Sequence, residues 1–136
     1  MHQLITNFNN IQTSIKSNQE KTNNKNNIKI IAVSKTFEIS HINPLIDYGH
    51  TDFGENKVQE AIEKWTDIKK KNNKLSLHLV GKLQSNKIRL ALKIFDYIHS
   101  LDSEKLANKI SEEQKKIDKK PKLFIQVNIG NEVQKS

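Results

Sequence analysis

The segment IKIIAVSKT (residues 28–36) decides the fold of this chain. It contains a short apolar run rich in β-branched residues, which is typical of a strand buried on both faces. From Ser40 onward the pattern becomes helical, and Gly49 lies where a helix C-cap is expected. The segment therefore predicts a strand over residues 28–34 that is followed by a helix, which together form one β/α unit.

The same alternation of strand and helix continues along the chain. Further strands are predicted at residues 51–54, 75–80, 97–101 and 123–129. Helices are predicted over residues 1–20, 58–71 and 87–95, and another is opened by Asp102 and Ser103 as N-caps. Strands separated by helices indicate parallel βαβ units with right-handed crossovers. Five β/α units predict an α/β fold, either the front of a barrel or a small open sheet.

Composition and charge bear on whether this protein binds nucleic acid. The 136 residues include 23 Lys+Arg against 15 Asp+Glu, which gives a formal net charge of +8. Arg89 is the single arginine, and aromatic residues make up only 6% of the chain. Proteins that recognise phosphates and bases favour arginine side chains and interleaved aromatic residues. Because this chain is poor in both, we expect no nucleic-acid partner despite its positive charge.

Several other classes of site are excluded by what the sequence lacks. Without cysteine there is no disulfide framework, thiolate nucleophile or Cys-ligated metal site. The histidines show no HExxH or similar ligand spacing with carboxylates, so no metal is expected. No apolar stretch approaches the roughly 20 residues of a membrane span. We therefore expect a soluble, cytoplasmic protein that does not associate with membranes.

Lys35 is the first candidate for a functional residue, since it directly follows the predicted first strand. The C-terminal ends of parallel strands face a common crevice, where a partly desolvated lysine amine can attack an aldehyde. On position alone, a solvated lysine at the start of a loop is the favoured interpretation, because the chain contains 22 lysines. Other segments of the sequence are needed to choose between the two interpretations.

Five segments resemble a known family in the same order and spacing. They are AVSKT (32–36), FGENKVQEA (53–61), HLVGKLQSNK (78–87), IHSLDSEKLA (98–107) and IQVNIGNEVQKS (125–136). Together they resemble the YggS/PROSC family of pyridoxal phosphate homeostasis proteins, and the resemblance runs essentially from end to end of the chain.

The resemblance implies a single barrel like the N-terminal domain of alanine racemase. The expected fold is thus a partial (β/α)8 TIM-type barrel, with about the first five β/α units plus an N-terminal helix. A closed barrel typically needs about 200 residues or more. In the family, later strands supply a Ser/Thr- and Gly-rich phosphate cradle and an arginine near the pyridine nitrogen. We therefore expect residues 1–136 to be the N-terminal portion of one PLP-binding barrel domain, truncated after the fifth strand.

The resemblance also implies a cofactor and its contacts. Family members bind pyridoxal 5′-phosphate (PLP) as an aldimine on the lysine of the AVSKT motif, which is Lys35 here. Asn56 is placed close to the cofactor ring, with N-capping of the following helix as its alternative. His78 is predicted near the cofactor, or else as a histidine satisfied in the core. Lys135 matches a family lysine after strand five, or is simply a solvated lysine near the chain end.

Other polar residues near the strand ends have two interpretations each. Glu55 and Gln59 are either cap partners of the following helix or solvated residues. The others either line the mouth of the site or cap helices: Gln84, Asn86, Lys87, Ser100 and Asp102.

The predicted function is PLP binding in intracellular PLP homeostasis, without catalysis and with no catalytic residue assigned. PLP is the expected ligand, PLP-dependent apoenzymes are candidate partners, and a monomer is expected. One alternative is an incomplete barrel that binds no cofactor, because the phosphate cradle is missing. Two others are an alanine racemase-like PLP enzyme, which would need a second domain, and a basic domain that binds nucleic acid or a partner through its charge.

Overall fold

The fold alternates helices and strands, with one helix before the first strand. The computed structural model describes residues 2–130. Its helices are α1 (Gln3–Lys21), α2 (Ile39–Asp47), α3 (Val58–Lys71), α4 (Ile88–Ile94) and α5 (Glu104–Ile117). Its strands are β1 (Ala32–Val33), β2 (Asp52–Glu55), β3 (Ser76–Leu79), β4 (Tyr97–Leu101) and β5 (Lys122–Ile125). A short 3-10 helix, Ser85–Lys87, precedes α4.

The five strands form one parallel sheet in the order β1-β2-β3-β4-β5. Each strand after the first therefore pairs with the strand that precedes it in the sequence. The register aligns Val33 with Gly54, Gly54 with His78, and His78 with Tyr97. The predicted α/β fold with an N-terminal helix is confirmed; within residues 2–130 it comprises four β/α units and the fifth strand, β5. Because the strands are parallel, their carboxyl ends lie along one edge of the sheet.

The main core lies between the sheet and its helices. Phe53, Leu77 and Ile98 on the strands are at most 1% exposed, and so are Trp65 on α3 and Leu92 on α4. The rings of Phe53 and Trp65 lie 5.0 Å apart between centroids. This packing fixes α3 against β2, and it thereby brings the polar side chains of α3 close to the carboxyl ends of β1 and β2.

The N-terminal helix packs through a narrow apolar face. Helix α1 begins after His2, whose Nδ1 accepts a hydrogen bond from Leu4 N at 3.1 Å. Its buried residues are Ile5 and Phe8, and the Phe8 ring lies 4.7 Å from that of His50 between centroids. The amphipathic helix predicted from the sequence is thus confirmed, and it packs beside α2.

Two predicted helix ends are found where expected. Gly49 follows α2 with a φ of 104°, in the left-handed region that glycine favours. Ser103 is the N-cap of α5, where its Oγ accepts a hydrogen bond from Leu106 N at 3.1 Å. Ser103 rather than Asp102 therefore caps this helix.

The two outer strands are shorter than predicted. The apolar run at 28–34 forms only the two-residue strand β1, and Ile28 is 45% exposed. The run at 123–129 forms β5 only as far as Ile125, and Val127 is 68% exposed. Both strands have a neighbour on one side only within the described sheet, so each lacks the second partner that would extend it.

Candidate functional site

Lys35 lies in a tight turn at the carboxyl end of β1. Ser34 N donates to Gly54 O at 2.8 Å, which continues the pairing of β1 with β2 for one residue. Phe37 N then donates back to Ser34 O at 3.2 Å and closes a turn over residues 34–37. Within this turn Lys35 is exposed and Thr36 has a φ of 68°. The predicted position of Lys35 at the end of the first strand is therefore correct.

One cavity brings Lys35 and Asn56 together. It has a volume of about 680 Å³ and lies at the carboxyl ends of β1, β2 and β3. We call it the Lys35 cavity; its lining residues are Val33, Lys35, Asn56, Lys57, Val58, Gln59, Val80, Gly81, Lys82, Gln84 and Lys87. Four of these residues are lysines and none is acidic, so the cavity is suited to an anionic ligand.

Asn56 follows β2 directly and presents an unused acceptor. Its Oδ1 is buried and has no hydrogen-bond partner among the described residues. The N-cap of α3 is Lys57, without a side-chain cap hydrogen bond. The alternative interpretation of Asn56 as a helix cap is therefore wrong, because the following residue occupies that position and the amide oxygen is free.

Gly81 allows the loop after β3 to pass close to Asn56. A Cβ atom added at Gly81 would lie 2.3 Å from Asn56 O and 2.8 Å from Asn56 Cβ. Those distances are shorter than any ordinary contact of a side-chain carbon. Glycine at this position therefore lets two walls of the Lys35 cavity meet.

An ion-pair network between β2 and α3 contacts the turn at residues 34–37. Glu55 is fully buried, and its Oε1 pairs with Lys64 Nζ at 2.5 Å and accepts from Trp65 Nε1 at 3.0 Å. Lys64 Nζ also lies 3.2 Å from Glu60 Oε2 and donates to Ser34 O at 2.8 Å. We call Glu55, Glu60 and Lys64 the Lys64 network. Burial raises the pKa of Glu60, but hydrogen bonding by a backbone amide and by Lys64 outweighs it, so its pKa lies below the ordinary value.

Sequence reasoning missed the Lys64 network. It treated Glu55 as a cap partner or a solvated residue, and both interpretations are wrong because Glu55 is 0% exposed and α3 has no side-chain cap. The spacing of Glu60 and Lys64, one helical turn apart, was an available signal for their mutual pairing. Their contacts with β1 and β2 depend on how α3 packs, which no local spacing reveals.

His78 belongs to a second polar cluster, outside the lining of the Lys35 cavity. His78 Nε2 lies 2.9 Å from Asp52 Oδ1, and His78 Nδ1 lies 2.9 Å from His99 Nε2. Its ring stacks on Tyr97 at 4.2 Å between centroids and 7° between planes. Burial lowers the pKa of His78 although Asp52 opposes this, and burial together with His78 lowers the pKa of His99. A role for His78 beside the cofactor stays a prediction.

The other candidates fall into three places. Gln59, Gln84 and Lys87 line the Lys35 cavity, while Asn86 and Asp102 line an adjacent cavity of about 440 Å³ that shares Gln84 with it. Ser100 is buried, and its Oγ has no hydrogen-bond partner among residues 2–130. Lys135 lies outside the described residues, so its role also stays a prediction.

Two further structural findings concern metals and membranes. Residues 2–130 contain no group of three or more His, Cys, Asp or Glu side chains able to hold a metal ion. Among the helices of this same part of the chain, none combines the length and the hydropathy needed to span a bilayer.

Residues 6–133 match the family model of the alanine racemase N-terminal domain. The chain belongs to this family. The five parallel strands and their helices are accordingly part of its TIM-like barrel, as predicted.

Relatives with curated names support the same assignment. The pyridoxal phosphate homeostasis protein of Haemophilus influenzae is 42% identical over 132 residues, which cover 96% of this chain and 55% of the relative. The protein of the same name from Buchnera aphidicola subsp. Schizaphis graminum is 40% identical, over 95% of this chain and 59% of the relative. The predicted resemblance is confirmed, and the chain spans little more than half the length of these relatives.

Solved structures show the same partial match. PipY of Synechococcus elongatus PCC7942 with PLP bound has a TM-score of 0.73 and 38% identity, covering 82% of this chain and 53% of PipY. An unknown protein from Bifidobacterium adolescentis has a TM-score of 0.83 and 29% identity, covering 94% of this chain and 56% of that protein. In both matches this chain covers little more than half of the longer solved chain.

Proposed function

We propose that this chain binds PLP in the Lys35 cavity and acts in intracellular PLP homeostasis. The observation that carries the proposal is the joint placement of Lys35 and Asn56 in one lysine-lined cavity of about 680 Å³. The names of the curated relatives and the PLP bound to PipY support it.

The residues of the cavity fit the chemical groups of PLP. When bound, PLP supplies an aldehyde that condenses with a primary amine, so that a C=N bond forms and water leaves. Lys35 provides the exposed amine, and the unpartnered Oδ1 of Asn56 can accept a hydrogen bond from the ring hydroxyl or from Lys35. Lys57, Lys82 and Lys87 contribute positive charge that attracts a phosphate.

We further propose that the role is binding without turnover. A covalent bond to Lys35 keeps the aldehyde from modifying other amines, and its reversal by water releases PLP again. PLP-dependent apoenzymes are then the recipients, and the binding unit is a monomer. The names of the curated relatives, which describe homeostasis proteins, support this proposal.

The test is retention of PLP after desalting, measured by the visible absorption band of the linked cofactor. We expect the parent chain to retain the band and Lys35→Ala to lose it. Lys25→Ala is the matched control, because Lys25 is exposed and lies outside the Lys35 cavity. Equal bands in all three proteins would contradict the proposal, since they would show unspecific modification of surface lysines. A parent chain without a band would instead favour the cofactor-free barrel.

A further inference from the structure

Helix α3 contacts the backbone on both sides of Lys35. On the N-terminal side, Lys64 Nζ donates to Ser34 O at 2.8 Å. On the C-terminal side, Thr36 N donates to Glu60 Oε2 at 2.6 Å. Glu60 and Lys64 are one helical turn apart on α3 and lie 3.2 Å from each other. A single ion pair thus holds the two residues that flank Lys35.

The contact with Thr36 matters because this residue has an unfavourable backbone conformation. Its φ of 68° lies in the left-handed region, which β-branched residues rarely adopt. Such a conformation persists only where the surroundings hold it, and it is concentrated at functional sites. Glu60 is the group that holds it here, through a short hydrogen bond to the Thr36 amide.

Lys64, which donates to Ser34 O, is itself held to the sheet by its ion pair with Glu55 on β2. The side chain of Lys64 is only 8% exposed, and that of Glu55 is 0% exposed. The Lys64 ammonium contacts Glu55, Glu60 and Ser34 O, which matches its three N–H donors. The same ammonium thus contacts the backbone carbonyl before Lys35 and the side chain of Glu55, the residue before Asn56.

We propose that Glu60 and Lys64 are positioning residues for Lys35. By holding the turn at residues 34–37, they fix the position in the Lys35 cavity from which the Lys35 amine attacks an aldehyde. Neither residue lines the cavity, so each acts through the turn and not by contact with PLP. The inference rests on the proposed function, because that function gives Lys35 its role as the PLP-binding amine.

The first measurement is amide hydrogen exchange by NMR on the full chain without PLP. Replacing Glu60 by alanine removes the acceptor of the Thr36 amide, and we expect its exchange to become about tenfold faster or more, the effect of losing a hydrogen bond to a charged group. Glu60→Gln keeps an oxygen acceptor and should restore much of the protection. Glu63→Ala is the matched control, since Glu63 is exposed on the same helix and accepts from Gln59.

The second measurement is the rate at which PLP attaches to each lysine, read by peptide mass spectrometry after borohydride reduction. We expect Glu60→Ala to slow attachment at Lys35 by about tenfold, with recovery in Glu60→Gln and none of this loss in Glu63→Ala. Lys64→Met alone leaves the buried Glu55 unpaired and risks unfolding, so Lys64 is tested in the double variant Lys64→Met/Glu55→Gln. This variant should slow Lys35 attachment as well.

The outcomes separate the two proposals. If Lys35 of the parent reacts no faster than the exposed Lys25, the proposed function fails, and the positioning inference fails with it. If parent Lys35 reacts faster but Glu60→Ala equals the parent in rate, only the positioning inference is overturned. Equal Thr36 exchange in the parent and in Glu60→Ala would overturn it too.

Discussion

At the scale of single residues, Asn56 is one of four residues within 2–130 that have a buried polar side-chain atom without a hydrogen-bond partner. Buried amide oxygens nearly always accept a hydrogen bond, because leaving one unpaired costs free energy. The Oδ1 of Asn56 has no such partner within residues 2–130, and Asn56 lines the Lys35 cavity. The chain thus tolerates an unsatisfied acceptor at the place where a ligand is proposed to bind.

We expect Asn56→Ala to weaken PLP binding without destabilising the folded state. The dissociation constant should rise by about five- to tenfold, the effect of losing one hydrogen bond. The free energy of unfolding should stay the same or increase, because the substitution removes a buried oxygen that makes no hydrogen bond in the described structure. Titration followed by visible absorption measures the first quantity and urea unfolding the second. Asn86→Ala, outside this cavity, is the control; an unchanged dissociation constant would remove Asn56 from the site.

The residues proposed to contact a ligand could be predicted from the sequence. The buried residues that hold the neighbouring backbone in place could not. Lys35 and Asn56 were predicted from motif resemblance, and the structure brings both to one cavity. Glu55 was misread, because a carboxylate at a strand end is ordinarily solvated. Its burial depends on Lys64, nine positions further along the chain, which only the packing of α3 against β2 brings into contact.

At the scale of elements, the loops after β2 and β3 meet without any room between them. Gly81 is the contact point, since an added Cβ would lie 2.3 Å from Asn56 O. The atom it would meet is backbone, which cannot swing aside as a flexible side chain would. One of the two loops would have to move, and each of them contributes lining residues to the Lys35 cavity.

We therefore expect Gly81→Ala to reduce both stability and PLP binding. Overpacking of this kind typically costs about 1–3 kcal/mol in the free energy of unfolding. Gly49→Ala is the matched control: its left-handed φ of 104° also strains an alanine, but a Cβ there meets nothing within 4 Å. The control should lose stability and keep its PLP affinity. Urea unfolding and PLP titration of both variants measure the two effects, and an unaltered affinity in Gly81→Ala would contradict the prediction.

Elements with strong local patterns were predicted to the residue. Helix α3 at Val58–Lys71 and strand β4 at Tyr97–Leu101 have the predicted bounds. The outer strands β1 and β5 were predicted too long. An apolar run shows the tendency to form a strand, whereas its length in the sheet depends on how many neighbouring residues pair with it, which is a property of the tertiary structure.

At the scale of the whole molecule, a chain of hydrogen bonds joins β2, β3 and β4 through neutral histidines. When His78 is neutral and donates from Nε2 to Asp52 Oδ1, its Nδ1 is left to accept from His99 Nε2. Burial lowers the pKa of both rings and also that of His50. The folded state therefore binds protons at these three histidines less readily than the unfolded state does.

This difference predicts that the fold weakens as the pH falls. The contribution of the histidines is fully present above their unfolded pKa, about 6.5, and is lost as pH falls from there towards their lowered folded values. Each histidine adds up to about 1.4 kcal/mol per pH unit to the slope. Urea unfolding between about pH 7 and pH 5 should show this slope, reduced in His78→Gln. His41→Gln, at an exposed position, is the control; equal slopes in both variants would contradict the role of His78.

The strand order has a consequence for how the protein is made. Every strand after β1 pairs with the strand that precedes it, so the partner of each strand leaves the ribosome before the strand itself. The sheet can therefore grow during translation, one unit at a time, without waiting for distant sequence. Each arriving unit also covers the open edge of the previous strand, which shortens the time that this edge is available to other nascent chains.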